Sequence, residues 1–125
     1  MLDKLFEACG IFGVYSLTKR DVSKYIYFGL YALQHRGQES AGIVTTNGDE
    51  FKSYLGMGLV NVVFSKEEIF QELMGHIGIG HTRYSTTGAS VIVNGQPIIG
   101  HTTYGTLAIA HNGNLTNIPE LKAEL

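Results

Sequence analysis

Only one cysteine, Cys9, occurs in the 125 residues, so no internal disulfide can form and the chain holds no cysteine cluster for a metal. A basic run is missing too. Nine Lys and Arg stand against eleven Asp and Glu, a formal charge of -2, and nothing in that balance offers a track along a nucleic-acid backbone, so nucleic acid is not an expected partner. No apolar stretch approaches the roughly 20 residues that a membrane-crossing helix needs. Residues 1–8 (Met-Leu-Asp-Lys-Leu-Phe-Glu-Ala) carry charges where a secretory signal would have an apolar core. These absences together point to the cytoplasm and away from the membrane.

Several catalytic signatures are also lacking. There is no Gly-x-Ser-x-Gly elbow, and Gly56-Met57-Gly58 and Gly78-Ile79-Gly80 lack the third glycine and the strand-to-helix setting of a dinucleotide loop. Among His35, His76, His81, His101 and His111 no pair has the i, i+4 helical spacing with a carboxylate partner that a zinc site uses, so no metal is expected in this segment.

What remains is a chain 44% hydrophobic and 16% charged, able to form one small domain with its own core. Cys9 to Tyr15 is a short apolar, β-prone run and predicts a buried strand with Cys9 at its beginning. From Asp21, the apolar positions Val22, Ile26, Leu30 and Leu33 recur at helical spacing. Tyr25, Phe28 and Tyr31 thicken the other sides, which predicts a helix covered on most of its surface and ending near Gln34-His35-Arg36-Gly37. Ala41–Thr46 and Phe51–Gly56, joined through Asn47-Gly48, predict a β-hairpin. Lys66–Met74 predicts a short helix capped by Ser65, and His76–His81 and Thr106–His111 predict two strands that end in polar clusters. Residues 86–104 lack periodicity and predict a long polar loop of the kind used as a binding lid. Thr116 or Asn117 can cap a last helix with Pro119 in its first turn and Leu121 and Leu125 on one face.

Taken singly, the chemistry-bearing residues have two readings each. A lone cysteine on an apolar strand is a buried small hydrophobe or a nucleophile. If residues 1–8 were removed, Cys9 would carry both a thiol and a free α-amine. An α-amine titrates at about 7.7–8.0 and a thiol at about 8.5, so the amine could take the thiol proton directly or through a water, with no separate histidine. Arg36 and Arg83 are solvated charges or planar forks for a small carboxylate. Asn112-Gly113, after the strand that ends at His111, is a plain turn or a pair of donors for an oxyanion. In comparable enzymes each such donor lowers the barrier by about 3–4 kcal/mol.

Four motifs in one order decide between these readings: Cys9-Gly-Ile-Phe-Gly13, Leu33-Gln-His-Arg-Gly-Gln-Glu-Ser-Ala-Gly42, Gly80-His-Thr-Arg-Tyr-Ser-Thr-Thr-Gly88 and His111-Asn-Gly-Asn-Leu115. Over Cys9–Leu125 the chain resembles the class II glutamine amidotransferases. Gln38-Glu39-Ser40 and Tyr84-Ser85-Thr86 are closest to the branch that delivers ammonia to phosphoribosyl pyrophosphate at the start of purine synthesis. The other readings are a glutaminase domain of another class II synthase, or a non-catalytic glutamine-binding scaffold that keeps its leader. The resemblance implies an α+β fold, the four-layer αββα sandwich of the N-terminal nucleophile hydrolases, incomplete in this chain. It implies that residues 1–8 are a propeptide removed on maturation, and that 9–125 is the N-terminal part of the glutaminase domain. Cys9 would be the nucleophile, with its own α-amine as base, and Asn112 and Gly113 would form the oxyanion hole. Arg83 would hold the glutamine α-carboxylate and Thr86, rather than Ser85, would contact substrate. Arg36 and Gly37 would brace the surroundings of Cys9, and Tyr84 would open the glutamine loop. No cofactor is implied in this segment; Mg2+ or an iron–sulfur cluster would belong to the C-terminal part, together with the phosphoribosyl pyrophosphate site. The full-length enzyme would be a homo-oligomer.

Overall fold

In the computed structural model, residues 9–84, 91–113 and 115–125 are described. Four strands, β1 (Gly10–Tyr15), β2 (Ser40–Thr46), β3 (Phe51–Met57) and β4 (Ile77–Arg83), form one antiparallel sheet in the order β1-β4-β2-β3. A second antiparallel pair consists of β5 (Ile98–Thr102) and β6 (Gly105–Ile109). The helices are α1 (Ser23–Ala32), α2 (Val60–Val63), α3 (Glu67–Glu72) and α4 (Ile118–Glu124), with single 3-10 turns at Gln34–Arg36 and Ile92–Asn94.

Alternation along the strands sorts side chains onto two faces. Register places Phe12 opposite Gly80 and Ile43 opposite Gly80 from the other side, so Phe12, Gly80 and Ile43 share one face. Helix α1 lies on this face. Its Ile26 and Leu30 are fully buried, and they fit because β4 offers no side chain beneath them: a Cβ on Gly80 would come within 2.5 Å of Ile26. Burying two such side chains stabilises the fold by about 1.5–3 kcal/mol each. Val60, Val63, Phe64, Ile69, Phe70 and Leu73 extend the core beside α1, with Tyr27 and Tyr54 packed against it. The Thr45 hydroxyl donates to the Leu73 carbonyl at 2.6 Å and ties this cluster to β2.

The opposite face of the sheet carries Val44, Ile79 and His81 and meets the β5–β6 pair across an apolar cavity of about 230 Å³ that Ala108 also lines. Helices, sheet and second sheet thus form successive layers of an α+β fold. Ile98, Leu107 and Ile109 on the far side of the second sheet are exposed, and the described residues form no fourth layer over them.

Four expectations need correction, and one further element was not anticipated. The helix from Asp21 is not covered on most of its surface: Tyr25, Phe28 and Tyr31 are 63%, 64% and 53% exposed, and a single stripe through Ile26 and Leu30 is buried. Its end is a separate 3-10 turn, because Leu33 leaves the α-helical path. Ser65 does not cap α3, whose N-cap position is Lys66 with no side-chain bond. Within 86–104, Ile92–Asn94 and β5 are regular structure; β5 has too few alternating positions to register as a strand by itself and is stabilised by pairing with β6. Helix α2 went unread because its single turn is too short for a period; Gln34 Oε1 accepts the Val60 N–H at 2.9 Å at its start.

Candidate active site

The start of β1 and the end of β4 lie side by side, since Gly10 pairs with Thr82. Cys9 therefore stands one position before the strand, beside Arg83 and Tyr84. It is half-buried, and its φ of +57° is in the left-handed region that a side chain adopts at a cost of about 1–2 kcal/mol. The thiol donates to the Tyr84 carbonyl at 3.9 Å. The Arg36 guanidinium Nε–H donates to the Cys9 carbonyl at 3.0 Å, so the 3-10 turn after α1 holds the backbone of Cys9.

Gly37 explains how that turn gets so close. A Cβ there would be 2.6 Å from the Thr82 carbonyl carbon and 2.7 Å from the Arg83 nitrogen, a space no side chain can enter. The Glu39 N–H then donates to the Arg83 carbonyl at 3.0 Å and continues the contact. Arg83 Nη1 donates to the Asn94 carbonyl at 2.6 Å, which fixes the plane of its guanidinium. Cys9, Arg36, Gly37, Arg83 and Tyr84 are thus gathered at one sheet end.

Asn112 and Gly113, which follow β6, are tied through their neighbour to β4 and not to Cys9. Among the described residues no hydrogen bond joins them to Cys9; the link runs through His111 to β4, where His81 Nε2 lies 3.1 Å from the His111 carbonyl oxygen. Gly113 has φ +153°, a backbone conformation that glycine takes without a side-chain penalty. His81 is fully buried, and burial above all lowers its pKa from 6.5 to about 4; the bond to His111 opposes the shift, while the charges of His111 and Arg83 add to it. Ser85, Thr86 and the rest of 85–90, where a glutamine loop was expected, lie outside the described residues, as do residues 1–8, the expected propeptide.

The sequence reading passed over Gln96. Its side-chain oxygen accepts the His111 N–H at 2.8 Å, and no local spacing signals a contact that spans 15 residues. His81 serves a backbone carbonyl, that of His111. Among the described residues no three His, Cys, Asp or Glu side chains cluster as a metal site would require.

Comparison with known proteins supplies the family. No family model matches the chain. The amidophosphoribosyltransferase of Methanocaldococcus jannaschii is 55% identical over 117 residues, 94% of this chain and 25% of that protein. Over nearly its whole length the chain matches the N-terminal part of amidophosphoribosyltransferases. Its fold is similar to a solved structure described as the allosteric regulatory enzyme of purine biosynthesis (TM-score 0.74, 40% identity). The glutamine phosphoribosylpyrophosphate amidotransferase of B. subtilis, solved with ADP and GMP, is similar as well (TM-score 0.72, 39% identity). Each likeness covers 94% of this chain and 24% of the solved one, so the chain spans about a quarter of the length of the relatives it matches. It corresponds to the N-terminal part of the family's glutaminase domain, with the N-terminal nucleophile hydrolase architecture that the four motifs implied. The other class II branches and the scaffold reading are not favoured by relatives that bear this name.

Proposed function

We propose that the chain carries the glutaminase chemistry of an amidophosphoribosyltransferase, releasing ammonia from glutamine for transfer to phosphoribosyl pyrophosphate. The observation that carries this reading is the meeting of Cys9 with Arg36, Gly37 and the Arg83–Tyr84 end of β4. After removal of residues 1–8 the α-amine of Cys9 takes the thiol proton, and the sulfur attacks the side-chain amide carbon of glutamine. Negative charge grows on the amide oxygen, where Asn112 and the Gly113 N–H would receive it. The amine returns the proton to the leaving nitrogen, the C–N bond breaks, ammonia departs and a glutamyl thioester remains. Water then hydrolyses the thioester to glutamate and restores the thiol. Arg83, with its plane fixed by Asn94, suits the planar α-carboxylate of the substrate, and Thr86 would add a contact.

Ammonia would then pass to a phosphoribosyl-transfer domain outside this segment, in a cytoplasmic homo-oligomer whose Mg2+ or iron–sulfur cluster, where present, belongs to that part. No helix among the described residues is long and apolar enough to cross a membrane. Treating the processed full-length protein with a glutamine-analogue electrophile, followed by peptide mapping, tests the reading. Attachment at Cys9 of a chain that begins at Cys9 is the expected result; attachment elsewhere, or a labelled chain still starting at Met1, would refute it.

A further inference from the structure

The backbone of His111 is gripped twice by side chains from distant parts of the chain. His81, in the middle of β4, meets its carbonyl at 3.1 Å, and Gln96, just before β5, accepts its N–H at 2.8 Å. Both gripping side chains are buried, at 0% and 9% exposure, whereas Asn112 and Gly113 just beyond are exposed. A backbone segment outside any strand would ordinarily leave these two groups to water. Here neither is left to chance.

We propose that His81 and Gln96 are positioning residues that clamp His111 and thereby aim the Asn112 amide and the Gly113 N–H at the oxygen of the carbonyl that Cys9 attacks. The proposal rests on the glutaminase reading above and adds to it the parts that fix the oxyanion donors. The His111 carbonyl belongs to the same planar peptide unit as the Asn112 N–H, so holding that oxygen sets the direction in which the chain enters Asn112. Gln96 fixes the preceding unit. Two restraints on consecutive peptide planes fix the place and direction from which the chain enters Asn112, which favours preorganised charge stabilisation.

The chemistry of His81 suits this task. A carbonyl accepts only, so Nε2 must carry the proton, and the neutral ring then has a bare Nδ1, which has no partner among the described residues. Burial keeps the ring neutral near physiological pH, so this tautomer is retained. Arg83, His111 and His81 are the titratable groups that face one another here.

The test uses processed full-length enzyme with His81→Leu, His81→Gln and Gln96→Met, and reads both glutamine kinetics and inhibition by glutamate γ-semialdehyde. Cys9 adds to that aldehyde to give a tetrahedral hemithioacetal whose oxygen sits where the oxyanion forms. His81→Leu and Gln96→Met are expected to lower kcat by about 10- to 100-fold, the scale of a small misplacement, with KM for glutamine nearly unchanged. The aldehyde Ki should rise by a similar factor, because the donors act on the tetrahedral species. His81→Gln, whose amide N–H can reach the same carbonyl, should recover most of the loss. Should His81→Leu fail to fold, Gln96→Met carries the same expectation of a lowered kcat and a raised aldehyde Ki, and His81→Gln is expected to stay near wild type. Unchanged kcat in Gln96→Met, or a loss shared equally between KM and kcat with no effect on the aldehyde, would overturn the clamp while leaving the glutaminase reading intact. Hydrolysis that survives in Cys9→Ala would overturn the glutaminase reading, and the clamp with it.

Discussion

Acid should destabilise this chain through His81 as pH falls from about 6.5 towards 4. In the unfolded chain an imidazole titrates near 6.5, whereas burial holds His81 at about 4 in the fold. Between those values the unfolded state binds a proton that the folded state refuses, so stability is complete above pH 6.5 and falls as pH drops towards 4. Because His81 has 0% exposure, solvent does not screen the effect. Linkage over this interval gives a loss of about 2 kcal/mol by pH 5 and about 3 kcal/mol by pH 4. Urea denaturation at pH 7, 6, 5 and 4, on wild type and on His81→Gln, isolates the contribution, since glutamine does not titrate. The wild-type curve should drop below the variant's by that amount over the interval. Parallel pH profiles for the two proteins would refute the reasoning, as would an imidazole midpoint near 6.5 measured for His81 by NMR in the folded state.

Two glycines should respond differently to a side chain. Gly80→Val drives a side chain into Ile26 and Leu30, where a Cβ alone would be 2.5 and 2.8 Å away, and should cost about 1–3 kcal/mol by urea denaturation. Gly48→Ala meets nothing within 4 Å, so only its φ of +105° opposes the change, and the loss should be about 1 kcal/mol. Arg36→Leu removes the charged donor from the Cys9 carbonyl. It should slow electrophile labelling of Cys9 in the full-length enzyme by about tenfold or more, with stability in urea changed far less.

Much of the fold was legible because it is written in local spacing. Val22, Ile26 and Leu30 mark the buried stripe of α1 at helical intervals, and Asn47-Gly48 marks the β2–β3 hairpin that the register bears out. The same spacing misjudged the aromatic side of α1. A tyrosine fits equally well under another layer or against solvent, and periodicity records apolarity without recording what covers it. Strand β5 was missed for a related reason, since Ile98-Ile99 followed by Gly100 is too short to be a pattern until β6 pairs with it.

The site divides along the same line. The sequence alone pointed to the chemistry we propose, because Cys9, Arg36, Arg83, Asn112 and Gly113 are reactive or donating by residue type, and four ordered motifs carry a family's imprint. Only the tertiary structure decided how they are held. The Arg36 bond to Cys9 spans 27 residues, the His81 contact with His111 spans 30, and the approach of Gly37 to β4 depends on a missing side chain. Spacing along the chain encodes what one element can do by itself. Contacts between elements arise from register, burial and the closeness of backbones, and these exist only once the sheet has formed.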